Sequence, residues 1–372
     1  MLRATHAVID LGALVHNLRA LRSLCAPSVE VIGVVKADAY GHGAVEIGRA
    51  LAGEGVRRLA VAIVEEAIAL REAGVPGSIL VLGAFSSGGA EEIAARGFEA
   101  VVSDMAFAER LSGAAHALGR TVGVHLKFDT GMGRFGFMPA NAVETTQRIL
   151  ALPGLNVVGA MTHFAASDEA AHVKFTREQI RCLTTIRDRL REAGITIPLW
   201  HAANSAGILG YPEAHLDAVR PGIALYGGVP KYPSPCPVAL KQVMTLKTFI
   251  AQVRELPAGH TVSYGRTFRT QRPSRFAVLA IGYADGYNRP LSNKGEVLIR
   301  GRRAPVTGRV CMDTTVVDVT GIPEARPGDE VVLCGSQGGE TISVDDMATA
   351  LGTIPHTVMT GITARVPRVT IS

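Results

Sequence analysis

From about residue 29 to residue 227, short apolar runs rich in β-branched residues alternate with alanine-rich amphipathic segments, and the number of runs decides the architecture. The runs occupy 29–35 (VEVIGVV), 57–63, 78–84, 98–104, 121–129, 155–164, 197–203 and 218–227, eight in all. Between them lie helix-periodic stretches such as VEEAIALREAG, AEEIAARG, MAFAERLSGAAHALG and DEAAHVKFTREQIRCLTTIRDRLREAG, several ending in glycine as helix C-caps do. Eight strand-then-helix units predict an α/β fold with an N-terminal (β/α)8, TIM-like barrel; an open doubly wound sheet is the competing reading.

The pattern changes after the proline-rich stretch VPKYPSPCPV at 229–238, which reads as a linker. Beyond it come VMTLKTFIAQVREL, RFAVLAIGYADG, GEVLIRG, APVTGRV, TTVVDVT and DEVVLCG, strand-like runs separated by Gly/Pro turns. These predict a C-terminal mostly-β domain. One helix is expected in SVDDMATALG, with Ser343 as N-cap and Gly352 as the stop. The expected domains are 1–235, the barrel, and 236–372, the β-domain, with the first ten or so residues packing on the latter.

Composition narrows the function. The 372 residues are 47% hydrophobic and 19% charged, a globular profile in which disorder is excluded as the main state. No stretch reaches the ~18 consecutive apolar residues of a membrane span, and MLRATHAVID lacks the apolar core of a secretory signal, so no membrane is expected and the cytosol is the default compartment. Lys plus Arg exceed Asp plus Glu by 38 − 33 = 5 without any long like-charge run, which does not imply nucleic acid but leaves room for an anionic small molecule. Five widely spaced cysteines, odd in number, lack metal-ligand spacing, so they read as reduced and no metal is expected.

Barrels of this kind build their sites at the C-terminal ends of the strands. Lys36 directly follows the first run. A desolvated ammonium there would have a lowered pKa suited to Schiff-base chemistry, although an isolated strand-end lysine more often snorkels to water. Tyr40, His42 and two glycines follow in a tight loop. The fifth run ends in KFDTGMGRFG, with Lys127, Asp129 and Arg134; Arg134 either grips a carboxylate or is a surface arginine. His163 ends the sixth run, His201, Asn204 and Ser205 end the seventh, and Arg220, Gly222 and Ile223 close the eighth, where backbone N–H groups of such barrels commonly meet a phosphate. The histidines are as compatible with a structural role as with a ligand contact. In the second domain, HTVSYGRTF places Tyr264 in a turn, and GRVCMD ends a strand with Met312 and Asp313, whose backbone N–H groups could meet a ligand.

VVKADAYGHG, KFDTGMGRFG, THFAASDE, AANSAG, VRPGIALYG, VSYGRTF, GYADGY, NKGEVLIRG, GRVCMD and RVPRV, in this order from around Lys36 to Arg368, resemble the alanine racemase family. The resemblance implies a pyridoxal 5'-phosphate enzyme, a homodimer with active sites shared between subunits, interconverting L- and D-alanine by a two-base mechanism and supplying D-alanine for peptidoglycan. It implies that Lys36 holds the cofactor covalently and is one base, and that Tyr264 from the partner subunit is the other. It further assigns cofactor contacts to Tyr40, His163, Asn204, Ser205, Arg220, Gly222 and Ile223, with Arg220 at the pyridine nitrogen and His201 orienting it. Arg134 and the Met312 backbone become substrate contacts, Tyr283 lies close by, Asp168, Arg289, Arg309 and Asp313 fall around the entry corridor, and Lys127 matches a position carbamylated in some members. One departure stands out: where the family usually carries a tyrosine that touches the phosphate and narrows the pocket, this chain has His356 in IPHTVMTG, an imidazole expected to titrate near neutrality. A broader amino-acid racemase acting on serine is therefore a second expectation. A non-catalytic cofactor carrier is a third, opposed by the second domain, which such carriers lack.

Overall fold

The computed structural model describes residues 4–83, 88–232 and 234–372. Ala84 of the third expected run and Pro233 of the linker lie outside the described residues.

The eight apolar runs form a closed parallel barrel of Glu30–Val34, Arg58–Val61, Ser78–Val81, Glu99–Val102, Val122–Lys127, Leu155–Met161, Leu199–His201 and Ala218–Val219. Closure is made where the eighth strand pairs with the first, Ala218 opposite Glu30 and Val219 opposite Val31. The strands are buried on both faces, which is why they read as continuous rather than alternating apolar runs. Helices wrap them, among them Met105–Ala117, whose first turn is capped by the Asp104 carboxylate accepting from Phe107 N–H at 2.8 Å. The long stretch read as one helix from Asp168 onward instead begins with a 3-10 turn, Ala170–His172, and continues as the α-helix Val173–Glu192.

The C-terminal domain is a sheet in which Arg302–Pro305, Glu296–Ile299, Glu330–Gln337, Met244–Leu256, His6–Asp10 and Arg368–Ile371 lie side by side. Ser274–Leu279 branches from Met244–Leu256 and pairs with Thr315–Asp318. Strand His6–Asp10 thus belongs to this domain: it runs antiparallel to Met244–Leu256 and parallel to Arg368–Ile371. APVTGRV is not a strand throughout; only its start lies in one, and Val306 makes a lone bridge to Val317. Ser343 and Asp346 form the expected capping box of helix Val344–Leu351, and Gly352 ends it. A further short helix, Pro355–Thr360, was not expected and carries His356. No helix among the described residues is long and apolar enough to cross a membrane.

Candidate active site

The segment after the first barrel strand is a left-handed turn made without glycine. Ala37, Asp38, Ala39 and Tyr40 have φ between 52 and 54°, a conformation costing about 1–2 kcal/mol per L-residue. Such strain persists only where the surroundings over-determine it, and here they do. Glu66 Oε1 accepts from Ala37 N–H at 2.6 Å, Asp38 Oδ1 accepts from Ala44 N–H at 2.8 Å, and the buried His42 Nδ1 reaches the carbonyls of Ala39 and Tyr40 at 2.9 and 3.0 Å. Two carbonyl acceptors on one nitrogen require the proton there. From the C-terminal domain, Arg368 Nε donates to Gly41 O at 2.9 Å, while its other nitrogens donate to the carbonyls of Ile362, Thr363 and Val366. Gly41 itself must be glycine: its φ is +81°, and a Cβ would come within 2.4 Å of Met359 O.

This turn holds Lys36 at one end and Tyr40 at the other. Burial lowers the Lys36 pKa, as the sequence led us to expect; Arg134 and Arg220 reinforce the shift and Glu66 opposes it. Its Nζ lies 6.0 Å from the Tyr40 ring centroid. Tyr40 is buried, and its hydroxyl meets the loop after the eighth strand so closely that a Cβ on Gly222 would sit 2.4 Å from it. In that loop Gly222 and Ala224 N–H donate to Ser205 Oγ at 3.0 and 3.1 Å. Ile223 is buried beside them, and Asn204 caps the following short helix while accepting from Ser167. Tyr40, Ser205, Gly222 and Ile223, predicted from strand-end position, therefore do converge.

Arg220 is 3% exposed and donates only to uncharged acceptors: Thr162 O at 2.8 Å, Ala202 O at 2.9 Å, His201 Nδ1 at 2.7 Å and His163 Nδ1 at 3.3 Å. Burial pulls its pKa down to about 9, still cationic at neutral pH. His163 is driven well below its ordinary pKa by burial and by Arg220, so it is neutral. Lys127, 5% exposed at the end of the fifth strand, is lowered to about 8 by burial and by the neighbouring Arg134 and Arg220. Arg134 is exposed, in a loop organised by Asp129, whose carboxylate accepts from four successive backbone N–H groups, Gly131 to Arg134. Lys36, Lys127, Arg134 and Arg220 thus share one cationic pocket, suited to an anionic ligand.

His356 lies where the sequence departure placed interest: its ring centroid is 5.6 Å from that of Tyr40, and its buried Nδ1 has no hydrogen-bond partner among the described residues. Burial and then Lys36 lower its pKa below that of an ordinary imidazole, with Asp168 opposing.

Tyr264 and Met312 are not brought to this pocket within the chain. Tyr264 is 70% exposed and Met312 53%. They belong to one surface cluster, because Ser263 Oγ donates to Arg309 O at 2.6 Å and Tyr283 N–H to Cys311 O at 3.0 Å. No hydrogen bond joins Tyr264 to the barrel among the described residues.

The donor set fits pyridoxal phosphate: a half-buried amine of lowered pKa, a hydroxyl-and-backbone cradle that a single Cβ would fill, a buried guanidinium, and an unpartnered imidazole nitrogen beside the cradle. A family pattern described as the N-terminal domain of alanine racemase matches residues 9–230, and one described as its C-terminal domain matches residues 243–370. An alanine racemase of Desulfosudis oleivorans is 45% identical over 98% of this chain and 95% of its own. The crystal structure of alanine racemase from D-cycloserine-producing Streptomyces lavendulae superposes with a TM-score of 0.93 at 37% identity, covering 100% of this chain and 97% of that one. That of Bacillus anthracis alanine racemase with bound L-Ala-P gives 0.91 at 34%, covering 100% and 95%. On the order of its motifs, the geometry of the Lys36 pocket and these full-length likenesses, the chain belongs to the alanine racemase family.

Proposed function

We infer that this enzyme interconverts L-alanine and D-alanine, using pyridoxal phosphate, in the cytoplasm, and that the D-alanine serves peptidoglycan. The observation that carries the reading is the pairing of the half-buried, pKa-lowered Lys36 amine with the buried Arg220 guanidinium in one cationic pocket.

Lys36, Tyr40, His163, Asn204, Ser205, Arg220, Gly222 and Ile223 would hold the cofactor. When bound, it supplies an electron sink for the charge left at Cα once the proton is removed. Racemisation takes a proton from one face and returns one to the other, so two bases are needed. Lys36 Nζ is one, and its lowered pKa makes the neutral amine accessible. The Tyr264 hydroxyl is the other; its exposure in a single chain leaves it free to enter the site of a second subunit in a homodimer. Arg220 keeps its own proton, since a guanidinium does not readily release one, so toward the ring nitrogen of a bound cofactor it would act as a hydrogen-bond donor and would not protonate it. Arg134 and, entering like Tyr264 from a second subunit, the Met312 backbone receive the substrate carboxylate, the former by bidentate charge-assisted hydrogen bonds.

The test is a visible spectrum of the purified protein followed by a D-alanine assay, with Lys36→Ala and Tyr264→Phe chains assayed singly and mixed. Each variant alone should lose racemisation in both directions together, because the equilibrium constant between enantiomers is one, with Tyr264→Phe retaining cofactor. Mixed dimers should regain activity, because one of their two sites is complete; no recovery despite demonstrated heterodimers would overturn the shared site. His356 favours a second reading, turnover of serine beside alanine, because an imidazole fills less space than a phenol beside Tyr40. A serine rate at background would remove it.

A further inference from the structure

A column of polar side chains runs through the barrel interior beneath Arg220. Glu30 and Arg58 begin the first and second strands, Glu99 begins the fourth, His125 lies within the fifth, and His201 ends the seventh. Arg58 forms an ion pair with Glu30 and grips Glu99 with two donors, at 2.6 and 3.1 Å. Glu99 Oε2 is 3.1 Å from His125 Nε2, His125 Nδ1 is 2.8 Å from His201 Nε2, and His201 Nδ1 is 2.7 Å from Arg220 Nη1. Space for this column is reserved by Gly159, where a Cβ would lie 2.2 Å from His125 Nδ1.

Donor and acceptor chemistry permits one direction only. Arg220 has nothing but donors, so His201 Nδ1 must be a lone pair and the His201 proton must sit on Nε2. That N–H points at His125 Nδ1, which must accept it, so the His125 proton sits on Nε2 and is donated to Glu99. Charging either imidazole would set two N–H groups against each other, and burial keeps both pKa values low. The chain can end only on an acceptor. Glu99 provides one: burial opposes its charge, but His125 and Arg58 hold its pKa at about 2.

We propose that Glu99 is a positioning residue for Arg220, acting through His125 and His201: its carboxylate accepts the N–H that the chain leaves at its far end, so both imidazoles keep the tautomer that accepts from Arg220, and the guanidinium is held with its remaining donors turned to the pocket. Arg220 contacts no carboxylate among the described residues, so this relay is its connection to a negative charge. Residues at the N-terminal face of such a barrel ordinarily serve stability; here that face reaches the opposite mouth through three hydrogen bonds. The inference rests on Arg220 serving the cofactor pocket, as proposed above.

The experiment labels the histidines with nitrogen-15 and records ring-nitrogen spectra of the cofactor-free protein, with kcat and KM for alanine measured on the loaded enzyme. In the unsubstituted protein, His125 and His201 should each show one tautomer, protonated at Nε2 and not at Nδ1, unchanged between about pH 6 and 8. Glu99→Leu should mix tautomers in both rings and lower kcat roughly 10–100-fold, with far less change in KM. Glu99→Gln, which keeps an acceptor oxygen, should restore the single tautomers and most of kcat. A proton on Nδ1 of either ring in the unsubstituted protein would overturn the proposal, as would unchanged tautomers in Glu99→Leu or mixing in Glu99→Gln equal to that of leucine. Should the leucine variant not fold, the unsubstituted protein and the glutamine variant still decide. Because the proton assignment is read without cofactor, a protein with the expected tautomers but no alanine racemisation would overturn the activity reading and not this one.

Discussion

Gly222→Ala tests the cradle on which the cofactor assignment depends. The added Cβ would lie 2.4 Å from the Tyr40 hydroxyl oxygen and 3.1 Å from its ring carbon Cζ. Relief requires the hydroxyl to retreat by roughly 1 Å to ordinary contact distance. Tyr40 has little room to do so: it is 7% exposed, with the Tyr226 ring centroid 4.9 Å away and that of His356 at 5.6 Å. Overpacking of this kind costs about 1–3 kcal/mol. If the cost falls on a phosphate-gripping hydroxyl and its facing backbone, the Kd for pyridoxal phosphate should rise about 5- to 150-fold, at 1.4 kcal/mol per decade. Titrating cofactor-stripped enzyme with pyridoxal phosphate and, separately, with pyridoxal gives the decisive comparison. The loss should be largely confined to the phosphorylated ligand. Equal weakening of both would mean general damage to the pocket, and undiminished affinity for pyridoxal phosphate would refute the placement of its phosphate here.

Two further outcomes concern the supports of the site. Arg368→Leu removes donors from four carbonyls, one of them Gly41 O beside the left-handed turn. Urea unfolding should show a loss of about 3 kcal/mol together with weaker cofactor binding; stability within about 0.5 kcal/mol of the parent would contradict the clamp. Glu99, with its pKa depressed from 4.5 to about 2, contributes stability that is fully present above its unfolded pKa and is lost as pH falls through about 2. That shift corresponds to about 3 kcal/mol, so acid titration of Glu99→Gln should show a shallower loss of stability between pH 5 and 2 than the parent, and identical curves would count against it.

The barrel was legible because each of its strands is buried on both faces and so reads as an unbroken apolar run, with site residues at the run ends. The pocket contacts Lys36, Tyr40, Ser205, Gly222 and Arg220 follow from that position. Less visible was what depends on distant pairing. His6–Asp10 has partners at Met244–Leu256 and Arg368–Ile371, and nothing local in HAVID announces them. Pro355–Thr360 is too short for a periodicity to emerge. The left-handed turn at Ala37–Tyr40 contains none of the glycine or asparagine that usually marks one, since its strain is held by Glu66, His42 and Arg368. The Glu99–His125 relay did leave a trace: charged residues open three barrel strands, and a histidine interrupts the apolar run VGVHLKF. Single-residue reasoning had no ground for joining them.

The strand His6–Asp10 also has a consequence for biosynthesis. It is made long before its partners, its antiparallel neighbour beginning at Met244 and its parallel one at Arg368. At ribosomal rates of about 5–20 residues per second, roughly ten seconds to nearly a minute pass before the earlier partner exists. Throughout that interval the segment keeps an unsatisfied edge exposed to other nascent chains, and the barrel, whose eighth strand ends at Val219, can close only near the interval's end. Substitutions that make HAVID stickier should therefore lower the yield of soluble enzyme in the cell while leaving the finished molecule's unfolding free energy almost untouched.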